Sequence, residues 1–565
     1  MRRLRAWLGS SLHGASKRRP TFGAAANGAN AADDDDAIAP KPFDSIPGPK
    51  GLPVLGNVWR YMPLVGEYKL DQLFENSKLN RKLYGPIVRE RITSKHTVLH
   101  LFEPADIETL FRYDGARPFR RSHRALLKYR SELGELYSSG GLFAENGLAW
   151  EQQRKLFQTR LMSQREVARA TGKIERSVRE TLLERLRAQL AAARAERQGS
   201  GSDSGGDSGG GGDIDSKAGA CPAVRVSAFE RLLAEWAFAS SLEVFLDTRL
   251  GSGELATGEA AEVMEQLHVS LRAIDATELH SNKWQTRPHK CKHYARLVES
   301  QTRLHAFVAK RIRAAAERHK SGGGGGGGGG NRCNSSDASR DAPETEHSFV
   351  RDWLLVDKIA ERDVVAFVID ALMAGFHTST YTAAHLLFHL YTNGPVLDEV
   401  RALLDVDDHR LDELLDRCLR ESMRLSPVAI GTGRLVQRDD VVVHNYRVPR
   451  NTMVIAQTQL ASLNSDTFDE PNSFRPQRWL AYRSLARCAR PSAFASLPFG
   501  FGPRVCIGKR VASLQLKVLA RRLIEHFDIE FTQDSIATRT TLVHNIAEPI
   551  EALVRARPIG APRSS

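Results

Sequence analysis

The sequence predicts a mainly helical protein with a small β region. Three observations lead there: long stretches with apolar residues at three- and four-residue spacing, a single alternating stretch, and a glycine-rich loop that feeds a helix. The longest helical stretch runs from Asp363 to about Asn393. Val364, Val365, Val368, Ile369, Leu372 and Met373 recur there at helical spacing, and Gly394-Pro395 is read as the stop. A second helix is expected from Leu411 to Leu425, ahead of Pro427, and charged helices over Glu175–Arg197 and Gln301–Lys320. After Tyr84-Gly85-Pro86 the pattern alternates through Thr97-Val98-Leu99-His100-Leu101, the period of a half-buried strand.

Taken along the chain, the first 32 residues hold Arg2, Arg3, Arg5, Lys17, Arg18 and Arg19 and no acid. Leu4, Trp7, Leu8 and Leu12 share one helical face. Arg-rich, acid-poor and amphipathic describes a mitochondrial transit peptide, so residues 1–36 are read as that peptide plus an acidic spacer, Asp33 to Asp36. A proline- and glycine-punctuated segment, Ile46 to Gly56, leads into the domain at 37–565. Two Gly/Ser-rich inserts, at about 199–219 and 321–341, interrupt the helical middle; the second includes Gly322 to Gly330. Flexible chains of this composition are surface loops, not domain boundaries.

Composition narrows the class. At 565 residues and 41% hydrophobic content the chain can bury a large core. Its six cysteines, Cys221, Cys291, Cys333, Cys418, Cys488 and Cys506, show no C-x-x-C spacing, which supports neither a zinc module nor a disulfide scaffold. The net charge of +13 is not gathered into a basic block with interleaved aromatics, so no nucleic acid partner is expected.

The chemistry concentrates in Phe499-Gly500-Phe501-Gly502-Pro503-Arg504-Val505-Cys506-Ile507-Gly508, followed by the helix-like Lys509 to Leu514. Glycines there let backbone approach a flat ligand, and a cysteine ahead of a helix N-terminus has its thiolate favoured by the dipole. Upstream, Glu421 and Arg424 share a helix face at i, i+3. Arg478 lies in Phe474-Arg475-Pro476-Gln477-Arg478-Trp479. Mid-helix, Ala374-Gly375-Phe376-His377-Thr378-Ser379 carries a glycine that costs about 1 kcal/mol against alanine and wants a reason.

Together these segments, in this order, resemble the cytochromes P450, and the resemblance covers nearly everything from Ile46 onward except the inserts. It implies a single large haem-binding domain, mainly α with a small β region. It also implies haem b as cofactor, dioxygen as co-substrate, and Cys506 as axial iron ligand. Trp150, Arg154, Arg434, Arg504 and Phe499 are implied haem-binding residues, with arginines on the propionates. Glu421, Arg424 and Arg478 are implied to form a buried structural network. Ala374 and Gly375 are implied to open the helix into an oxygen groove, where Thr378 manages dioxygen protonation. His377 stands where the family carries an acid, which leaves two readings for it: a proton shuttle, or a solvent-facing or salt-bridged side chain. Val428, Ala429, Ile430, Gly431 and Thr432 are the implied substrate-pocket stretch, its small residues leaving room for a rigid ring system.

Arg117 to His123, Ala125 to Arg130 and Ser139 to Leu142 resemble the mitochondrial clan of the family. Glu421 to Arg434, and Phe474 to Leu480 with Tyr482-Arg483-Ser484, resemble arthropod ecdysteroid C-22 hydroxylases. The implied partners are an adrenodoxin-like ferredoxin with its NADPH-dependent reductase, met by Lys509, Arg510, Arg417 and Arg420, and a sterol substrate. The implied location is the matrix side of the inner mitochondrial membrane, with peripheral association. No run of about 18 apolar residues suggests the anchor of microsomal members. Alternatives are a mitochondrial P450 acting on another lipid or a xenobiotic, a peroxide-rearranging member, and a non-catalytic haem sensor or carrier.

Overall fold

The computed structural model describes residues 39–557 except 63, 95, 200–222, 280–282, 322–346 and 481–492. The 1–36 segment, nearly all of both inserts, Cys221, Cys333, Cys488 and Tyr482-Arg483-Ser484 lie outside the described residues.

The main helices are α1 (Leu73–Tyr84), α2 (Pro104–Tyr113), α3 (Arg124–Glu132), α4 (Gly147–Leu161), α5 (Phe229–Leu246), α6 (Glu259–Leu279), α7 (Lys292–Ser321), α8 (Glu361–Tyr391), α9 (Asp408–Leu425) and α10 (Lys509–His526). Between α4 and α5 the charged stretch read as one helix is helical over Thr171–Val178 and Glu184–Gly199, joined by a π-helical turn at Arg179–Leu183. Helix α8 is the axle. It packs against α5, α7, α9 and α10, and its buried residues, among them Val364, Val368, Leu372 and Leu386, join the largest apolar cluster. By length and composition it is the one described helix long and apolar enough to cross a membrane, but most of it is buried inside the fold. Apolar all round, it is a core helix.

α8 ends at Tyr391, just before the predicted stop at Gly394-Pro395, and that same pair starts the next helix, Gly394–Leu403. Asn393 caps it, its side-chain oxygen accepting the Val396 N–H at 3.3 Å. Proline at the first turn lacks only an N–H that would have no helical partner, so it starts a helix as readily as it ends one.

The β region holds β1 (Ile87–Thr93), β2 (His96–Leu101), β3 (Ala223–Val226), β4 (Thr432–Leu435), β5 (Val441–Val443), β6 (Tyr446–Val448), β7 (Met453–Ala456), β8 (Phe527–Phe531), β9 (Thr538–Thr540), β10 (His544–Ile546) and β11 (Ala552–Ala556). Its largest sheet has the order β1-β2-β7-β4, with β2 and β7 parallel and the other pairs antiparallel. The predicted alternating stretch is the β1–β2 hairpin, with Val98, Leu99 and Leu101 buried. β9 and β10 pair as a separate hairpin, which meets α8.

Candidate functional site

The Cys506 loop is shaped by two glycines in the left-handed region, Gly500 at φ 73° and Gly502 at φ 72°. The Cys506 N–H donates to the Phe499 carbonyl at 2.9 Å, which closes the loop just before α10. The Phe499 ring packs partly buried against the main core, with the Lys509 ammonium 5.7 Å from its centroid. The Cys506 sulfur is accessible, yet protein surrounds most of it, and desolvation pushes the thiol up. Opposing that, the Gly508 N–H, Arg154, Arg120 and Lys509 favour the thiolate.

Beside the loop lies a knot of buried arginines. The Arg504 guanidinium donates to the Pro118 carbonyl at 3.1 Å, the Glu145 carbonyl at 2.8 Å and Asn146 Oδ1 at 2.9 Å, and lies 3.9 Å over the Trp150 ring. Arg120 donates to the Arg504 carbonyl at 3.0 Å. Arg154, one turn after Trp150 on α4, is buried with Nε 3.3 Å from Gln158 Oε1. Arg434, on β4, is buried and pairs with Asp114 at 2.6 Å. Among the described residues, Asp114 is the only carboxylate ion-paired with this group of four guanidiniums. Burial and mutual repulsion push Arg504 down to about 9 and Arg120 down to about 10. Arg504 Nη1 and Arg120 Nε are buried without a hydrogen-bond partner.

Such a surplus of desolvated positive charge is stable only with an anionic ligand. Haem fits on this ground: two propionates and the cysteine thiolate supply the missing negative charge. The Trp150 ring is the platform under Arg504. Arg120 went unsingled in the sequence, since its signal was only membership of a basic run, Arg117 to Arg121.

Glu421, Arg424 and Arg478 are brought together. Arg424 donates to Glu421 through Nε at 3.0 Å and Nη2 at 2.9 Å, and Arg478 Nε donates at 2.8 Å. The Arg475 N–H at 3.1 Å and Trp479 Nε1 at 3.0 Å complete the carboxylate's shell. Glu421 and Arg424 are fully buried.

On α8, Ala374, Gly375 and Thr378 are half-buried within a stretch whose neighbours Leu372, Met373, Phe376 and Ser379 are buried, so one face of a core helix stays accessible. A Cβ on Gly375 would meet only Ser241 Oγ at 3.5 Å, an ordinary contact, so the glycine keeps a surface low rather than a turn tight. α8 is unbroken, and the Thr378 hydroxyl donates to the Ala374 carbonyl at 2.6 Å, because a helical threonine finds its i−4 carbonyl within reach.

His377 is half-buried, and among the described residues it makes no salt bridge. Its ring stands edge-on to His268 of α6, centroids 4.6 Å apart, and its buried Nε2 has no hydrogen-bond partner. Desolvation, with His268 and Arg272 adding to it, holds the imidazole down to about 3, so it is neutral at physiological pH.

In the Val428–Thr432 stretch, Ile430 is buried while Val428, Ala429, Gly431 and Thr432 are half-buried. Gly431 does not leave room for a ligand ring. A Cβ there would lie 2.4 Å from the Ala456 carbonyl oxygen, so the glycine serves close approach of β4 to β7. The four proposed partner-facing cations differ. Lys509 and Arg510 are exposed, Arg417 is half-buried with Nε 3.3 Å from the Glu413 carbonyl, and Arg420 lies 4.3 Å over the Trp479 ring.

A family profile for cytochrome P450 matches residues 46–198 and 235–553, most of the chain. The chain belongs to the cytochrome P450 family. It is accordingly a monooxygenase that uses haem iron and dioxygen. Relatives at low identity include cytochrome P450 302a1, mitochondrial, of Drosophila melanogaster, 25% identical over 92% of this chain and 96% of that protein. Probable cytochrome P450 301a1, mitochondrial, from the same species is 26% identical over 91% and 89%. The mitochondrial 1,25-dihydroxyvitamin D(3) 24-hydroxylase of Rattus norvegicus is 26% identical over 87% of this chain and 84% of that protein.

Proposed function

We propose that this P450 is a mitochondrial sterol hydroxylase that oxygenates an ecdysteroid precursor on its side chain, at C-22, with electrons from an adrenodoxin-like ferredoxin. The observation that carries the haem chemistry is the group of four guanidiniums about Cys506 and Asp114, those of buried Arg154, Arg434 and Arg504 and of half-buried Arg120. Support for the location on the matrix side of the inner membrane is that the relatives are named mitochondrial. Support for the substrate is the likeness of Glu421 to Arg434 to arthropod C-22 hydroxylases. A relative named for hydroxylating 1,25-dihydroxyvitamin D(3) favours a lipophilic substrate already bearing hydroxyls.

In this reading Cys506 ligates the iron, its negative charge held by the Gly508 N–H, Arg154, Arg120 and Lys509. Arg504, Arg120, Arg154 and Arg434 take the propionates, and Trp150 keeps Arg504 flat. Bound haem supplies the iron at which dioxygen is cleaved and one oxygen atom enters a substrate C–H bond. Thr378 presents its hydroxyl beside the low surface of Ala374 and Gly375, where it exchanges its bond to the Ala374 carbonyl for proton delivery. His377 braces α6 against α8 through His268 and is neutral at physiological pH, which disfavours a relay through its imidazolium. Val428, Ala429 and Ile430 supply apolar wall. Lys509 and Arg510 steer the acidic ferredoxin.

The test is turnover by the haem-loaded protein with ferredoxin, reductase and NADPH on a mixture of ecdysteroid intermediates and cholesterol. One product, oxygenated on the side chain, is expected. Faster turnover of cholesterol or of a xenobiotic overturns the C-22 reading.

A further inference from the structure

Asp275 sits on α6, two turns beyond His268, and accepts a hydrogen bond from the Thr541 hydroxyl at 2.7 Å. Thr541 lies in the turn between β9 and β10. The same hairpin is fixed to two walls already described. The His544 N–H donates to the Val428 carbonyl at 2.8 Å, and the His544 ring stacks on Tyr381 of α8 with centroids 5.8 Å apart. The pair therefore stands where α6, α8 and the Val428 stretch converge. Both members are half-buried, as are the apolar neighbours Leu271, Leu542 and Val543.

The carboxyl group is only half satisfied. Oδ2 takes the threonine, while Oδ1 has no hydrogen bond among the described residues. Desolvation raises Asp275 to about 6, and the Thr541 bond only partly offsets it. Oδ1 is not sealed from solvent, so it stands open to a donor from a ligand, and in these partly apolar surroundings such a hydrogen bond is stronger than in water. A neutral donor suits better than an ammonium, because Arg121 and Arg124 gather at Glu278, one turn further along α6.

We propose that Asp275, oriented by Thr541, accepts a hydrogen bond from an alcohol hydroxyl of the substrate and so selects hydroxylated sterols over their deoxy counterparts. This rests on the sterol reading above and adds the residue that would read the substrate's oxygenation.

The test is a spin-state titration of the haem-loaded protein with cholestane, cholesterol, and cholesterol carrying one further ring hydroxyl. In the unmutated protein the hydroxylated ligand binds more tightly than its deoxy partner. In Asp275→Leu that preference falls by about 10- to 100-fold, the worth of a hydrogen bond to a charged group, while cholestane binds as before. Asp275→Asn, which can still accept, keeps part of the preference. A preference unchanged in Asp275→Leu, or an equal loss for all three ligands, overturns the proposal and leaves the sterol reading standing. No spin shift with any sterol in the unmutated protein sinks the sterol reading itself, and the proposal with it. If Asp275→Leu does not fold, Thr541→Val decides. It leaves the acid but frees it, and the preference must narrow at least about threefold.

Discussion

The guanidinium of Arg504 lies 3.9 Å over the ring of Trp150, which locks the loop two residues ahead of Cys506 onto α4. The contact joins segments far apart in sequence, and Arg504 Nη1 is left buried and without a hydrogen-bond partner, a spare donor for an anionic ligand. Replacing Arg504 with Leu is expected to lower haem affinity about 10-fold or more, given that a hydrogen bond to a charged group is worth about 1.5–3 kcal/mol. Arg504→Lys recovers only part, because one ammonium cannot reproduce the fork that reaches Pro118, Glu145 and Asn146. The haem-to-protein ratio after gel filtration reports both.

Glu421, fully buried, is held by Arg424, Arg478, Trp479 and the Arg475 N–H. Removing the carboxylate leaves Arg424 buried and unpaired, at a cost of about 3–5 kcal/mol. Glu421→Ala should therefore accumulate as insoluble or haem-free protein. Arg475→Ala, which keeps the backbone donor and removes only an exposed charge, should be close to neutral in denaturant unfolding.

Acid should destabilise the protein through its buried histidines. His377 and His389 titrate near 3 and His385 and His544 near 4, each against an ordinary 6.5, because burial disfavours the cation. Above 6.5 both folded and unfolded rings are neutral. Below it the unfolded chain takes up protons that the native rings refuse, so stability falls as pH falls, by up to about 1.4 kcal/mol per histidine per pH unit. His377→Phe removes one such group and keeps an aromatic against His268. The slope of melting temperature between pH 6.5 and pH 5 should become shallower in that variant, and an unchanged slope would contradict the buried, neutral assignment.

Lys509 and Arg510 are exposed at the start of α10, next to the Cys506 loop. Charge reversal at both should slow ferredoxin-supported turnover most at low salt. The gap from the unmutated enzyme should narrow as the Debye length shrinks to about 8 Å near physiological ionic strength. Peroxide-driven turnover, which needs no ferredoxin, should be unaffected by reversal at Arg510 alone, since Lys509 also favours the Cys506 thiolate. Arg417 and Arg420, tied to the Glu413 carbonyl and the Trp479 ring, should give smaller effects.

Much of the fold was legible where periodicity is strong. Helix α8 was placed within two residues at each end, and the β1–β2 hairpin followed from alternation. Gly394-Pro395 does follow the end of α8, but that it also opens the next helix was not legible, because proline suits both a helix end and a first turn and the Asn393 cap shows only in the fold. Cys506, Arg504, Glu421 and Arg424 stood out through spacing. Arg120, Asp114, His268 and Asp275 did not, because each acts across the fold, with partners distant in sequence. Gly431 shows the limit plainly. The residue was conspicuous, but only the approach of the Ala456 carbonyl tells that its missing Cβ serves the sheet rather than a ligand.

The central claim is that Cys506 is the iron ligand, its thiolate held at the start of α10 by the Gly508 N–H and nearby cations. The most direct measurement is the absorption spectrum of the reduced, carbon monoxide-bound protein, with and without Cys506→Ser. The unmutated protein should show the red-shifted Soret band of thiolate ligation, and the serine variant should lack it while retaining helical circular dichroism. Persistence of that band in Cys506→Ser would mean another residue holds the iron, and would contradict the account.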